Sequence, residues 1–444
     1  MSTTLPDTSG RRIATLTASA LAVLVAPPLY LLLDLAVVGR LGGHQLGALG
    51  VATLVLSVIS TQLTFLSYGT TARSARRFGA GDRSGAVAEG VQASWIAVGV
   101  GAVLVAVMYP MAPVVLRILL GAGGAQTEVV RDATGWLRIA MFGVPLILLS
   151  MAGNGWMRGV QETRRPVIYV VAGLSIGSVL VVGLTHGVFG FPRLGMTGSA
   201  IANLVGQGVT GALFAQRVVR EAGSSLAPQW SVIGAQLVMA RDLVVRSLSF
   251  QVCFLSAAAV AARFGVAAVA AHQVVLQLWE FMSLFLDSLA IAAQALVGAS
   301  LGAGAAGAAA SVARKVTIVS LTAATVMAAV FALGAGVIPR LFTSDAAILQ
   351  TIAVPWWFFV AMLPIAGIVF ALDGVLLGSG DAAFLRTATL IAALVGFLPL
   401  IWLSLIFDWG LAGIWTGLVA FMVIRLVTVG MRVHGGRWQR EGVE

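Results

Sequence analysis

Twelve stretches of this chain stay apolar for about twenty residues or more, the length at which a helix crosses the hydrocarbon of a bilayer. They lie near 13–38, 46–70, 86–109, 133–153, 166–188, 196–217, 243–263, 267–299, 314–337, 350–373, 385–407 and 411–431. Lipid offers the backbone no hydrogen-bond partner, so each run must satisfy its own N–H and C=O groups as a helix. Composition agrees: of 444 residues, 59% are hydrophobic and 10% charged, too little charge to cover a water-soluble surface of that size. The expected fold is an all-α polytopic membrane protein with twelve transmembrane helices. A cytosolic enzyme, a secreted disulfide scaffold and a disordered chain are excluded. The first run is too long for the core of a cleaved signal peptide and is expected to remain as helix 1.

The net charge of +10 does not point to nucleic acid, because the basic residues sit in short gaps between apolar runs. Arg73, Arg76, Arg77 and Arg83 fill one gap, and Arg158, Arg164 and Arg165 another. With loops alternating across the membrane, 20 basic residues fall on the side of the termini and 7 on the other. Cytoplasmic loops carry the excess of Lys and Arg, so both termini are expected in the cytoplasm of a cell-membrane protein. The one cysteine, Cys253, rules out an intrachain disulfide and a thiolate metal cluster.

The order of small motifs repeats. Phe78-Gly79-Ala80-Gly81 recurs as Leu301-Gly302-Ala303-Gly304, and Gly39-Arg40-Leu41-Gly42 as Ala262-Arg263-Phe264-Gly265, both at an offset of 223. Gly155–Glu162 recurs at Gly374–Asp381, and Gly195-Met196-Thr197-Gly198 at Gly410-Leu411-Ala412-Gly413. Helices 1–6 and 7–12 therefore read as two parallel copies of one six-helix unit, since an even number of helices inserts both copies the same way up. The expected organisation is an N-terminal lobe over 1–216, a linker over 217–242 and a C-terminal lobe over 243–444.

Ionisable residues at membrane depth are costly, which makes them candidates for function. Asp34 lies deep in helix 1, with Tyr30 one turn before it and Pro27-Pro28 one turn further back. The phenol faces the same side as the carboxyl and is placed to hydrogen-bond it. The prolines withdraw two backbone donors and should kink the helix. In the second copy the counterpart of Asp34 is Ala257, so the acid serves one lobe alone. On helix 8, Gln273, Gln277, Glu280, Asp287 and Gln294 share an arc of about 100°. That stripe is either an interhelical polar zipper or a substrate or ion path. His272 beside it, without metal-ligand spacing, reads as packed. Gln62, Asn154, Asn203 and Gln207 supply polar groups in the N-terminal lobe; Asn203 and Gln207 are one turn apart and either is able to reach Asp34. Asp373 and Asp381 flank a glycine-rich helix end, as caps or as a gating contact. Trp356 and Trp357 form an interfacial belt or an aromatic wall.

There is no phosphate-binding lysine motif, no nucleophile elbow and no pair of metal-spaced histidines. No cofactor and no metal are expected, and uphill work would draw on an ion gradient.

Taken together, PLYLLLDLAVVGRLG (28–42), RRFGAGD (76–82), RGVQETRRP (158–166), LGMTGSAIAN (194–203), HQVVLQLWEF with LDSLAIAAQALVG (272–298) and LDGVLLGSGD (372–381) resemble the multidrug and toxic compound extrusion (MATE) transporters. The helix 8 segment and Leu372-Asp373-Gly374 point to the DNA-damage-inducible (DinF) branch. The resemblance covers nearly the whole chain. It implies a V-shaped pair of six-helix lobes and alternating access. It also implies antiport of organic cations or other amphipathic toxins against H⁺ or Na⁺, with Asp34 as the proton-titrating residue and Tyr30 beside it. Many members carry an Asn and an Asp four residues apart in helix 5; here Gly177 and Val181 stand at those positions. Helix 7 lacks the acid of sodium-coupled branches and has Gln251 nearby, so H⁺ is favoured over Na⁺ as coupling ion.

The resemblance implies a transporter rather than an enzyme, with small molecules and the lipid bilayer as partners, working as a monomer. One alternative is a flippase of lipid-linked oligosaccharides on the same two-lobe plan, which would favour a basic cavity, whereas the deep charges read here are acidic. An alternative of another class, a membrane-embedded enzyme such as a polyprenyl transferase, would need paired acidic metal motifs that the sequence does not offer.

Overall fold

The computed structural model describes residues 7–120, 126–223 and 225–442, and among these a helix stands wherever the sequence has an apolar run. Span 1 is α1 (Gly10–Gly39), helical through Pro27 and Pro28. Span 2 is α2 (Gly43–Gln62) and α3 (Phe65–Gly79), span 3 is α4 (Arg83–Leu120), and span 4 is α5 (Gln126–Met141) with α6 (Val144–Gly159). Span 5 is α7 (Arg164–His186) and span 6 is α8 (Met196–Ala222). The second copy follows as α9 (Trp230–Arg263), α10 (Val266–Gly302), α11 (Ala306–Leu333) and α12 (Ala346–Gly378). Span 11 is α13 (Ala382–Ile391), a π-helical segment (Ala392–Phe397) and α14 (Leu398–Ile406), and span 12 is α15 (Gly410–His434).

The breaks have local causes. Between α5 and α6 the chain bends by 42° at Phe142-Gly143, just before Pro145, which has no N–H to continue the ladder. The π-helical segment precedes Pro399, whose missing donor leaves the carbonyl of Val395 without its usual partner. By length and apolarity, ten helices qualify as spans, and the bent α5–α6 pair makes an eleventh. The twelfth, α8, carries Thr197, Ser199, Asn203, Gln207 and Thr210 and is too polar to be found by hydropathy alone. The twelve-helix fold stands.

The chain divides into two compact units. One comprises residues 22–74 and 82–238, the other 1–21, 75–81 and 239–444. All of the 217–242 segment is described apart from Ser224, which lies outside the described residues. In the first unit, Gln92 takes the main-chain N–H of Gln229 (2.8 Å) and donates to the carbonyl of Ala227 (3.1 Å), which ties this segment back to α4. In the second, a continuous apolar core runs through α9, α10, α12 and α15, with Trp356, Phe359, Trp415 and Phe421 almost wholly buried. Large apolar side chains such as Leu32, Val103, Leu255 and Leu333 face outward on both units, as helices bathed in lipid require.

Two glycines of the second unit match the repeat. A Cβ on Gly79 would lie 1.8 Å from the carbonyl oxygen of Ala299, and one on Gly302 would lie 1.9 Å from that of Arg76. At the offset of 223, Gly79 corresponds to Gly302 and Arg76 to Ala299, so the contact is reciprocal. Small residues at these positions let the two helix ends approach backbone to backbone.

Candidate functional site

Asp34 is 1% exposed, and the hydroxyl of Ser199 donates to its Oδ1 at 2.6 Å. Ser199 in turn accepts from the indole N–H of Trp136 at 3.0 Å. Three helices therefore supply the site: α1 the acid, α8 the hydroxyl and α5 the indole. Among the described residues no cation pairs with Asp34. The carboxylate only accepts hydrogen bonds whereas the acid also donates one, so a single proton changes which bonds this site can make.

The expected neighbours stand differently. Tyr30 is one turn away, but its buried hydroxyl has no hydrogen-bond partner among the described residues. Its ring instead lies against Gly177 of α7, where a Cβ would be 3.1 Å from Tyr30 Cε2. The glycine that departs from the family pattern thus makes room for the phenol. Val181, the other departure, joins Val37 and Ala202 in a small apolar cluster, so oil stands there in place of an acid. Asn203 and Gln207 are half-buried on α8 and make no bond to Asp34. Gln62 at the end of α2 and Asn154 on α6 (7% exposed) keep buried polar atoms without partners among the described residues. Ser199 was not singled out from sequence. Its signal is the spacing Ser199–Asn203–Gln207, which puts it on the same face of α8, one turn nearer the helix start.

The other deep acids are matched by arginines. Glu89 of α4 is 1% exposed and takes two bonds from Arg73 (2.8 and 2.9 Å) and one from Gln236 (2.7 Å). Asp373 of α12, expected as a cap or a gating contact, lies inside the second unit. There Arg246 of α9 (2.6 Å) and Arg425 of α15 both bond its Oδ2. Arg425 is 2% exposed and stacks on Phe250 and Phe421. The deep charges are therefore not all acidic: two guanidiniums share one carboxylate. Asp381 stands at the start of α13 without a capping bond and instead takes the Nε of Arg432 at 2.7 Å. In the first half of α9, Asp242 is bound by Arg386 at 2.5 Å and by Arg241 at 3.0 Å.

The stripe on α10 is not uniform. Gln273, Gln277 and Glu280 are exposed, with Gln277 and Glu280 3.5 Å apart, while Asp287 is half-buried. Gln294 is 1% exposed where α10 backs onto Gly378 of α12. His272 is buried edge-on against Trp415. Trp356 is a core residue whose indole bonds the carbonyl of Phe331, whereas Trp357 is exposed. Among the described residues no group of three metal-ligating side chains comes together.

The MatE family model matches residues 19–182 and 243–403, one match in each copy of the repeat. Protein DETOXIFICATION 44, chloroplastic, of Arabidopsis thaliana is 30% identical, over 97% of this chain and 84% of its own length. DNA damage-inducible protein F of Escherichia coli (strain K12) is 29% identical, over 90% of this chain and 87% of its own. Among solved structures, one described as MATE in the bent conformation matches with a TM-score of 0.87 at 21% identity, over 96% of both chains.

Proposed function

Because the chain belongs to the MATE family of multidrug and toxin efflux transporters, in a DinF-like branch, we propose that it is a proton-coupled antiporter in which Asp34 exchanges the coupling proton. What carries this reading is the contrast among the buried acids. Glu89 and Asp373 are held by arginines, whereas the bond to Asp34 comes from a neutral hydroxyl. A guanidinium supplies a counter-charge to the acid it clamps, whereas an acid held by a neutral hydroxyl in an apolar lobe has none, and we assign the exchangeable proton to the latter.

In its ionised form Asp34 accepts from Ser199, and on protonation it becomes a donor that must find a new acceptor. That change bears on α1, whose Pro27-Pro28 step lacks two ladder bonds one to two turns away. Export then follows from proton uptake on one side of the membrane and release on the other, with substrate carried in the opposite sense. Organic cations and amphipathic toxins are the proposed cargo, and the 20-to-7 division of basic residues supports cytoplasmic termini. Arg246 and Arg425 on a single carboxylate favour a second cargo class, amphipathic anions.

The test is transport by purified protein in vesicles under an imposed pH gradient, with cationic and anionic dyes. Asp34→Asn keeps the shape of the side chain and removes its titration. It is expected to insert normally and lose gradient-driven transport. Full-rate transport by a correctly folded Asp34→Asn protein would overturn the reading.

A further inference from the structure

A cavity of about 470 Å³ opens in the first unit, bounded by Gln45 of α2, Arg131, Asp132 and Trp136 of α5, Arg193 of the α7–α8 connection and Thr197 of α8. It lies where α1 ends and α2, α5 and α8 begin, the end of the unit opposite Arg73 and Arg158. Its mouth is titratable and charged. His44 is 3.3 Å from Asp132, Arg131 is 3.5 Å from the same carboxylate, and Arg193 is exposed. At the same end, the ring of His186 bonds the carbonyl of Val37 at 3.0 Å.

Its inner wall is Trp136, 1% exposed, whose indole N–H bonds the hydroxyl that bonds Asp34. Two hydrogen bonds therefore separate a polar cavity from the buried acid. They do not form a proton wire as they stand. An indole N–H is a donor with no lone pair to accept, so it cannot pass a proton inward. The ring also occupies one acceptor site of Ser199. Displacing Trp136 would free that lone pair. A water in the cavity could then give a proton to Ser199 Oγ while the Ser199 hydroxyl proton passes to Asp34. The hydroxyl is regenerated and the water left as hydroxide, or as water where the donor was hydronium.

We propose that this cavity is the vestibule through which protons reach Asp34, and that Trp136 is the plug that closes it. The coupling role of the vestibule rests on the reading of Asp34 given above; the geometry of access does not.

Access is measured with Asp34→Cys in a Cys253→Ala background, using a small cationic methanethiosulfonate reagent applied to membrane vesicles of either orientation. Modification is expected to be slow from both sides with Trp136 in place, and severalfold faster from the cavity side with Trp136→Ala. Trp136→Phe keeps the plug but loses the N–H, so modification should stay slow. Thr197→Trp fills the cavity and should return the Trp136→Ala rate to the slow value. A rate unchanged by both Trp136→Ala and Thr197→Trp overturns the proposal. If Trp136→Ala does not fold, infrared hydrogen exchange of the Asp34 carboxyl decides. Thr197→Trp alone must slow that exchange severalfold, and unaltered exchange overturns the proposal. A transporter that still couples as Asp34→Asn would defeat the functional reading and leave the labelling result standing.

Discussion

Ser199 has one hydrogen to give, and the hydrogen bond from Trp136 decides where it goes. With the indole N–H already donating to Oγ, the hydroxyl proton is directed at Asp34. Ser199→Ala therefore removes the donor that favours the ionised acid, and we expect it to displace the pH profile of transport while leaving the protein folded. Tyr30→Phe removes a hydroxyl that has no partner among the described residues, so the profile should stay in place and thermal stability should hold or rise. Transport rates across a pH series check both, and a profile moved by Tyr30→Phe and not by Ser199→Ala would reverse the assignment. Asp34 was legible because an acid inside an apolar run has no ordinary explanation. Ser199 and Trp136 were not, because serine and tryptophan are unremarkable in a membrane helix. Their meaning lies in contacts across 165 and 63 residues of chain.

At the scale of helices, charge and small residues fasten the second unit. Asp373 joins α9, α12 and α15 through Arg246 and Arg425. Asp373→Asn would leave the buried guanidinium of Arg425 and the half-buried one of Arg246 with no counter-charge, a change that costs about 3–5 kcal/mol when one partner of a buried pair is lost. We expect a clear fall in the melting temperature of the detergent-solubilised protein. Asp373→Leu combined with Arg246→Met and Arg425→Met should recover much of it, because removing the whole set leaves no charge unpaired. The Gly79 and Gly302 crossing allows a second test. A valine at either position must push a backbone carbonyl aside, and overpacking of this kind costs about 1–3 kcal/mol or more. Gly81→Ala faces no such atom, but its φ of +79° penalises any side chain, so Gly47→Ala, with open space and an ordinary helical backbone, is the control. The repeat itself was readable as a constant offset. That its glycines meet each other was not, since spacing along the chain carries no information about which copies of a motif touch.

For the whole molecule, the alternation of twelve helices was legible because lipid leaves the backbone so few options, and the bent α5–α6 pair and the polar α8 fall where the apolar runs placed them. The charge count was read less well. Arg76, Arg158 and Arg425 are counted in it, yet all three are buried, held by protein contacts rather than by a membrane face. Setting them aside leaves 17 basic residues against 7, so the direction of the bias survives. The bias makes a definite prediction about orientation. Arg164, at the start of α7, and Arg314, in the first third of α11, are exposed on the basic side, one in each copy of the repeat, and Arg340 is exposed on the other. In a Cys253→Ala background, Arg164→Cys and Arg314→Cys should react with a membrane-impermeant maleimide in inside-out vesicles and resist it in intact cells. Arg340→Cys should behave the opposite way. Because each copy holds an even number of helices, the first two must agree with each other whatever the orientation. Agreement with reversed sidedness would defeat the positive-inside assignment alone, whereas disagreement between Arg164→Cys and Arg314→Cys would break the parallel repeat on which the twelve-helix fold rests.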